Sequence, residues 1–252
     1  MSAAIHDTER KPSVISISWG SPESNNDAQS ITAFHELFAA AAVLGITVCV
    51  ASGDHGTADL AASIWDQKIH VNFPASDDLV LACGGTQIDE VSGQDVVWND
   101  GTPLDVKQPD GGGWASGGGI SEVFGVPSYQ SHLIMPASLS NGIKGRGVPD
   151  IAMCAKNYFT RVDSFESSRN GTSAVAPLMA ALVARLNQAK QKNVGFLNPF
   201  LYANAAQGVV QEVIVGTNSI KNTLEGYQAG PDWNACCGLG TPNGIAILDR
   251  LS

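Results

Sequence analysis

Residues 14–56 read VISISWGSPESNNDAQSITAFHELFAAAAVLGITVCVASGDHG, and the fold is decided by how this stretch is parsed. Val14-Ile15-Ser16-Ile17-Ser18-Trp19 is an apolar, β-branched run stopped by Gly20 and Pro22. Asp27 is placed to cap a helix from Ala28 to about Leu44, because Ile31, Phe34, Phe38, Ala41 and Leu44 recur at helical spacing and Gly45 ends the pattern. Ile46 to Ala51 is a second apolar strand that runs into the loop Ser52-Gly53-Asp54-His55-Gly56. Strand, helix and strand with a short return make a βαβ unit, which predicts a parallel sheet covered by helices.

The rest of the chain extends this α/β pattern. Val80 to Cys83 is a further strand closed by Gly84-Gly85, and residues 100–119 are rich in Gly, Asp and Pro and read as surface loop. Val148 to Ala152 is a short strand candidate. Gly171-Thr172-Ser173 leads into an apolar helix from Ala174 to Lys190, with Pro177 expected in its first turn, and a second helix runs from Asn198 to Ala206. Residues 213–243 are turn-rich, and no linker or repeat divides the chain, so 1–252 reads as one domain.

Composition narrows the class. With 24 Asp/Glu against 14 Lys/Arg the net charge is −10, and no basic cluster is present to neutralise phosphates, which argues against nucleic acid and against an anionic membrane surface. No apolar run reaches the ~18 residues a membrane span needs. The five cysteines are odd in number and contain no CxxC pair, which disfavours zinc; Cys49 and Cys83 read as buried, and Cys236-Cys237 has no assignable partner.

The chemistry concentrates in two loops. In Gly171-Thr172-Ser173-Ala174-Val175-Ala176-Pro177 a small-residue loop delivers Ser173 at a helix N-terminus, where positive dipole character favours a developing oxyanion. That pattern marks Ser173 as a candidate nucleophile rather than a plain N-cap. Asp54 lies at the carboxyl end of a strand, where sites of parallel sheets collect. A carboxyl group stabilises an oxyanion only when protonated, so Asp54 in that role implies acid pH or a raised pKa. His55-Gly56-Thr57 looks like a catalytic-histidine string, but no acid upstream has a matching strand context, and a Ser-His-Asp triad is weakly supported.

Taken together, PSVISISWGSPE (12–23), ASGDHG (51–56), the stretch from Val71 to Thr86, VVWNDG (96–101), SGGGISEVF (116–124), GRGVPDIA (145–152), NGTSAVAPLMAALVARLNQ (170–188) and YQAGPDWNACCGLGTPNG (227–244) resemble the sedolisin family of serine-carboxyl peptidases over essentially the whole chain. The resemblance implies a subtilisin-like parallel sheet flanked by helices and hydrolysis of peptide bonds in acid by a Ser-Glu-Asp triad. By motif, Ser173 matches the nucleophile and Asp54 the oxyanion-stabilising acid. Ser18, Trp19 and Gly20, with Ser116, Gly117 and Gly118, match the edges along which an extended peptide or protein substrate lies. Low charge suits such chemistry, since full protonation leaves 14 Lys/Arg and 5 His to repel one another.

Two departures shape the expectation. The family's Glu and Asp sit four apart on a helix upstream of the first strand here, and residues 1–13 offer only Asp7 and Glu9, to which no role is assigned. The chain therefore reads as the C-terminal part of a catalytic domain, lacking the first strands and the Glu/Asp helix, and an N-terminal fragment is an expected partner. An inactive remnant, half of a split enzyme and a peptide-binding module are the alternatives. The resemblance also implies secretion, yet residues 1–13 hold no apolar signal core, and localisation stays open. It implies a calcium loop as well, at Glu212, Val213, Gly230, Asp232 and Asn234; Glu212 is longer than the usual Asp and Asn234 lacks a charge, so Ca2+ binding is expected to be weakened.

Overall fold

The structure is a computed structural model describing residues 1–107, 111–221 and 223–251. A sheet of mostly parallel strands is built from β1 (Val14–Ile17), β2 (Thr47–Ala51), β3 (Leu81–Ile88), β4 (Asp95–Val97) and β5 (Ile151–Cys154). β1, β2, β3 and β5 lie side by side and parallel, and β4 returns antiparallel along the C-terminal half of β3. Among the described residues β1 pairs only with β2, so its outer edge has no strand partner.

Between β1 and β2 runs α1 (Ala28–Val43), capped by Asp27, whose side chain accepts the Ser30 N–H at 2.8 Å. The sheet alternates with period two. Val48 and Val50 of β2 join Phe38 and Ala41 under α1, while Cys49 and Ala51 face the other layer. That second layer is α2 (Thr172–Lys190), which buries Val175, Ala176, Met179, Val183 and Leu186 against the sheet. Each of the Val, Met and Leu side chains contributes about 1.5–3 kcal/mol. α3 (Asn198–Asn204) and α4 (Gly244–Arg250) complete the elements named here. No helix among the described residues is long and apolar enough to cross a membrane.

Four expectations change. The strand expected to close at Gly84-Gly85 runs through both glycines to Ile88. The helix carrying Ser173 starts at Thr172 rather than Ala174, so Ser173 is inside its first turn and Pro177 falls in the second. The strand expected at 148–152 divides around Pro149 and Asp150, with Gly147–Val148 pairing elsewhere. Tyr158–Val162 and Phe165–Arg169 form a hairpin that the sequence did not announce. Residues 108–110 of the Gly/Asp/Pro-rich loop lie outside the described residues. All five cysteines are free, and Cys49, Cys83, Cys236 and Cys237 are buried.

Candidate active site

The carboxyl ends of β1 and β2 and the N-terminus of α2 meet at a cleft of about 190 Å³. Its walls include Ser18, Trp19, Gly20, Asp54 and Ser173, all singled out from sequence, together with Asp59, Asn72 and Trp114. Ser173 is exposed there, and its hydroxyl donates a long hydrogen bond of 3.4 Å to the Ser18 carbonyl. Among the described residues no carboxylate or imidazole hydrogen-bonds the Ser173 hydroxyl.

Local chemistry fixes this geometry. Pro177 has no N–H to give the carbonyl four residues back, which belongs to Ser173. The Ser18 hydroxyl donates to that carbonyl instead, at 2.9 Å, tying the start of α2 to the end of β1. Asp54 is locked from the other side: its Oδ1 accepts the Thr172 N–H at 2.7 Å and the Thr172 hydroxyl at 2.8 Å. Gly171, at φ +140°, allows this approach, since a Cβ there would stand 2.8 Å from Asp54 Oδ2. Among the described residues Asp54 Oδ2 has no hydrogen-bond donor.

Other residues behave differently. His55 packs its ring on Trp114 with centroids 4.6 Å apart, and burial pushes its pKa down while Asp54 pulls it back up. It makes no hydrogen bond to Ser173, in keeping with the weak support for a Ser-His-Asp triad. Asp59 is held by two 3.0 Å hydrogen bonds from the Asn72 side-chain amide. Desolvation pushes the Asp59 pKa well above the usual carboxylate range; the Asn72 hydrogen bonds oppose this, and the charges of Asp54 and Glu23 add to it. Asp59, Asn72 and Thr172 were missed from sequence. Thr172 was legible inside the GTS string, whereas nothing local marks the other two.

Ser116, Gly117 and Gly118 are buried and do not line this cleft. The Gly117 N–H donates to the Gly53 carbonyl at 2.8 Å, and its carbonyl accepts the Ser52 hydroxyl at 2.8 Å. The Ser116 hydroxyl donates to the Cys236 carbonyl at 2.9 Å, and Gly118 is packed beneath the backbone of Ala235. Their small size serves close packing beneath the Gly53 loop.

Glu212, Val213, Gly230, Asp232 and Asn234 do converge. Glu212 Oε1 accepts the Asp232 N–H at 2.9 Å, while the Asn234 side-chain amide donates to the carbonyls of Val213 at 3.1 Å and Gly230 at 3.0 Å. Two carbonyls that a cation would need are thus taken by N–H donors, and the arrangement does not fit calcium.

Residues 1–240 match the family model described as Peptidase_S8, the subtilase family. The chain belongs to the subtilase family. This subtilase is 45% identical over 258 residues to kumamolisin of Bacillus sp. (strain MN-32), a match covering all of this chain and 44% of that protein. It is 30% identical over 261 residues to tripeptidyl-peptidase 1 of Rattus norvegicus, covering 95% of this chain and 43% of that protein. The subtilase thus spans less than half the length of these curated relatives. Among solved structures it superposes on a Pseudomonas sedolisin, titled a serine-carboxyl proteinase complexed with two molecules of pseudo-iodotyrostatin. That TM-score is 0.83 at 28% identity, with 98% of this chain and 67% of that one covered. Sphericase, at 14% identity and a TM-score of 0.59 over 96% of this chain and 61% of that one, shares the fold. The fold is therefore the subtilisin-like α/β fold, with its resemblance running to the sedolisin branch.

Proposed function

We propose that this subtilase provides the nucleophile and oxyanion pocket of an acid-acting serine-carboxyl endopeptidase. The observation that carries this reading is the interlock of Asp54 with Thr172 beside an exposed Ser173 at the start of α2. Ser173 Oγ attacks the scissile carbonyl carbon and gives its proton to a carboxylate base; the acyl-enzyme forms as the amine leaves, and water then releases the acid. Asp54 Oδ1 is occupied by two donors, so Oδ2 is the oxygen that would carry a proton and donate it to the oxyanion. A base of low pKa still functions in acid.

The Ser173 hydroxyl has no acidic partner among the described residues, so the base is assigned to a Glu/Asp-bearing segment beyond these 252 residues. The unpaired outer edge of β1, which ends at Ile17 just before Ser18 and beside Ser173, is where a strand of that segment would add. The same missing contact favours a second reading, a module that binds peptides without turning them over.

The test is cleavage of a peptide at about pH 3–5 by the purified chain, alone and with a supplied segment carrying the acid pair. Cleavage only when the segment is present, abolished by Ser173→Ala, is the expected result. Ser173-dependent cleavage by the chain alone would overturn the need for a supplied base. Peptide affinity unchanged by Ser173→Ala, with no cleavage in either condition, would establish the binding module instead.

A further inference from the structure

We infer that the loop joining residues 212–213 to 230–234 is closed by a side-chain amide in place of a metal ion, which makes the fold independent of calcium. Asn234 is buried, and its amide is saturated. Its nitrogen donates to the carbonyls of Val213 at 3.1 Å and Gly230 at 3.0 Å, and its oxygen accepts the N–H groups of Cys236 at 3.2 Å and Cys237 at 3.0 Å. The orientation of the amide follows from these partners. Turned over, it would set oxygen against two carbonyls and NH2 against two backbone N–H groups.

The amide nitrogen stands where an ion bridging the two carbonyls would stand, and its two hydrogens supply the positive ends those oxygens require. Glu212 completes the closure by accepting the Asp232 N–H at 2.9 Å, with Asp232 in the left-handed region at φ +64°. A calcium ion needs six to eight oxygens at about 2.3–2.6 Å and gains affinity from ligand charge. To enter, it would have to expel the amide, break four hydrogen bonds and accept a neutral ligand in return.

A single substitution at this position should exchange one closure for the other. Asn234→Asp turns a carboxylate oxygen towards the two carbonyls, a repulsive arrangement that a divalent cation relieves.

The experiment is thermal unfolding of the purified protein in calcium chloride and in EGTA, paired with calorimetric calcium titration. The wild type should show the same Tm in both media and no stoichiometric binding. Asn234→Asp should melt lower in EGTA, by about 3 °C or more, and recover in calcium. Asn234→Ala should lose stability that calcium does not restore. One calcium bound per wild-type chain at a Kd of about 1 mM or tighter, or a calcium-raised wild-type Tm, would overturn the inference. Full wild-type stability of Asn234→Ala in EGTA would overturn it too. If Asn234→Asp does not fold, the wild-type titration and Asn234→Ala still decide.

Discussion

At the residue scale the cleft rests on single atoms. Gly171→Ala would force a Cβ against Asp54 and hold a left-handed conformation, a strain of about 1–3 kcal/mol, so a lower denaturant midpoint is expected together with loss of the Asp54–Thr172 interlock. Asp54→Asn keeps an N–H donor at every pH. In the complemented enzyme it should keep more activity than Asp54→Ala, and equal kcat for the two variants would show that no donor is needed at this position. Asp54→Ala removes the donor, with an expected loss of about 10²–10³ in kcat. Asp59 makes a different statement. Its folded pKa lies above its unfolded value, so its stabilising contribution is complete below the unfolded pKa of about 4 and is lost as pH rises through the folded pKa. Asp59→Asn should therefore raise Tm at pH 7 and change it little at pH 3, as thermal melts at the two pH values would show.

At the scale of elements, α1 and α2 show what was legible in the sequence and what was not. The apolar period of α1, its Asp27 cap and the continuous apolar run of β2 are local signals, and the structure follows them to within a residue or two. The start of α2 was misjudged because Thr172 acts through Gly53 and Asp54, more than a hundred residues away in sequence. The hairpin 158–169 escaped because it is largely exposed, with even Phe159, Val162 and Phe165 turned to solvent and no buried face to impose a pattern. Ser116–Gly118 show the same limit, since glycines suit both a substrate groove and tight packing, and their close packing on Ser52, Gly53 and Ala235 comes only from tertiary contacts. The Ser18 hydroxyl's substitution for the N–H that Pro177 lacks can be tested by a double-mutant cycle. Ser18→Ala should cost about 0.5–1 kcal/mol, and in a Pro177→Ala background, where the helix can supply its own N–H, it should cost less. Equal costs in both backgrounds would refute the coupling.

At the scale of the whole molecule, the two layers meet around a buried ion pair. Arg146 donates to Asp150 at 2.7 Å with both side chains fully buried, and Tyr202 donates to the other Asp150 oxygen at 2.9 Å. Arg146→Met would strand a carboxylate, and a loss of about 3–5 kcal/mol by denaturant titration is expected. The same interior encloses four cysteine thiols. Burial pushes the Cys236 thiol up to about 12 and holds Cys83 and Cys237 well above their usual range, so these three carry almost no thiolate while the core stays closed. The thiols sit in different parts of the core, Cys49 and Cys83 on the central strands and Cys236-Cys237 in the C-terminal loop. A thiol-specific label added to the native protein would therefore act as a stopwatch. The order in which these positions accept it would tell which part of the molecule breathes first, with no probe engineered into the chain.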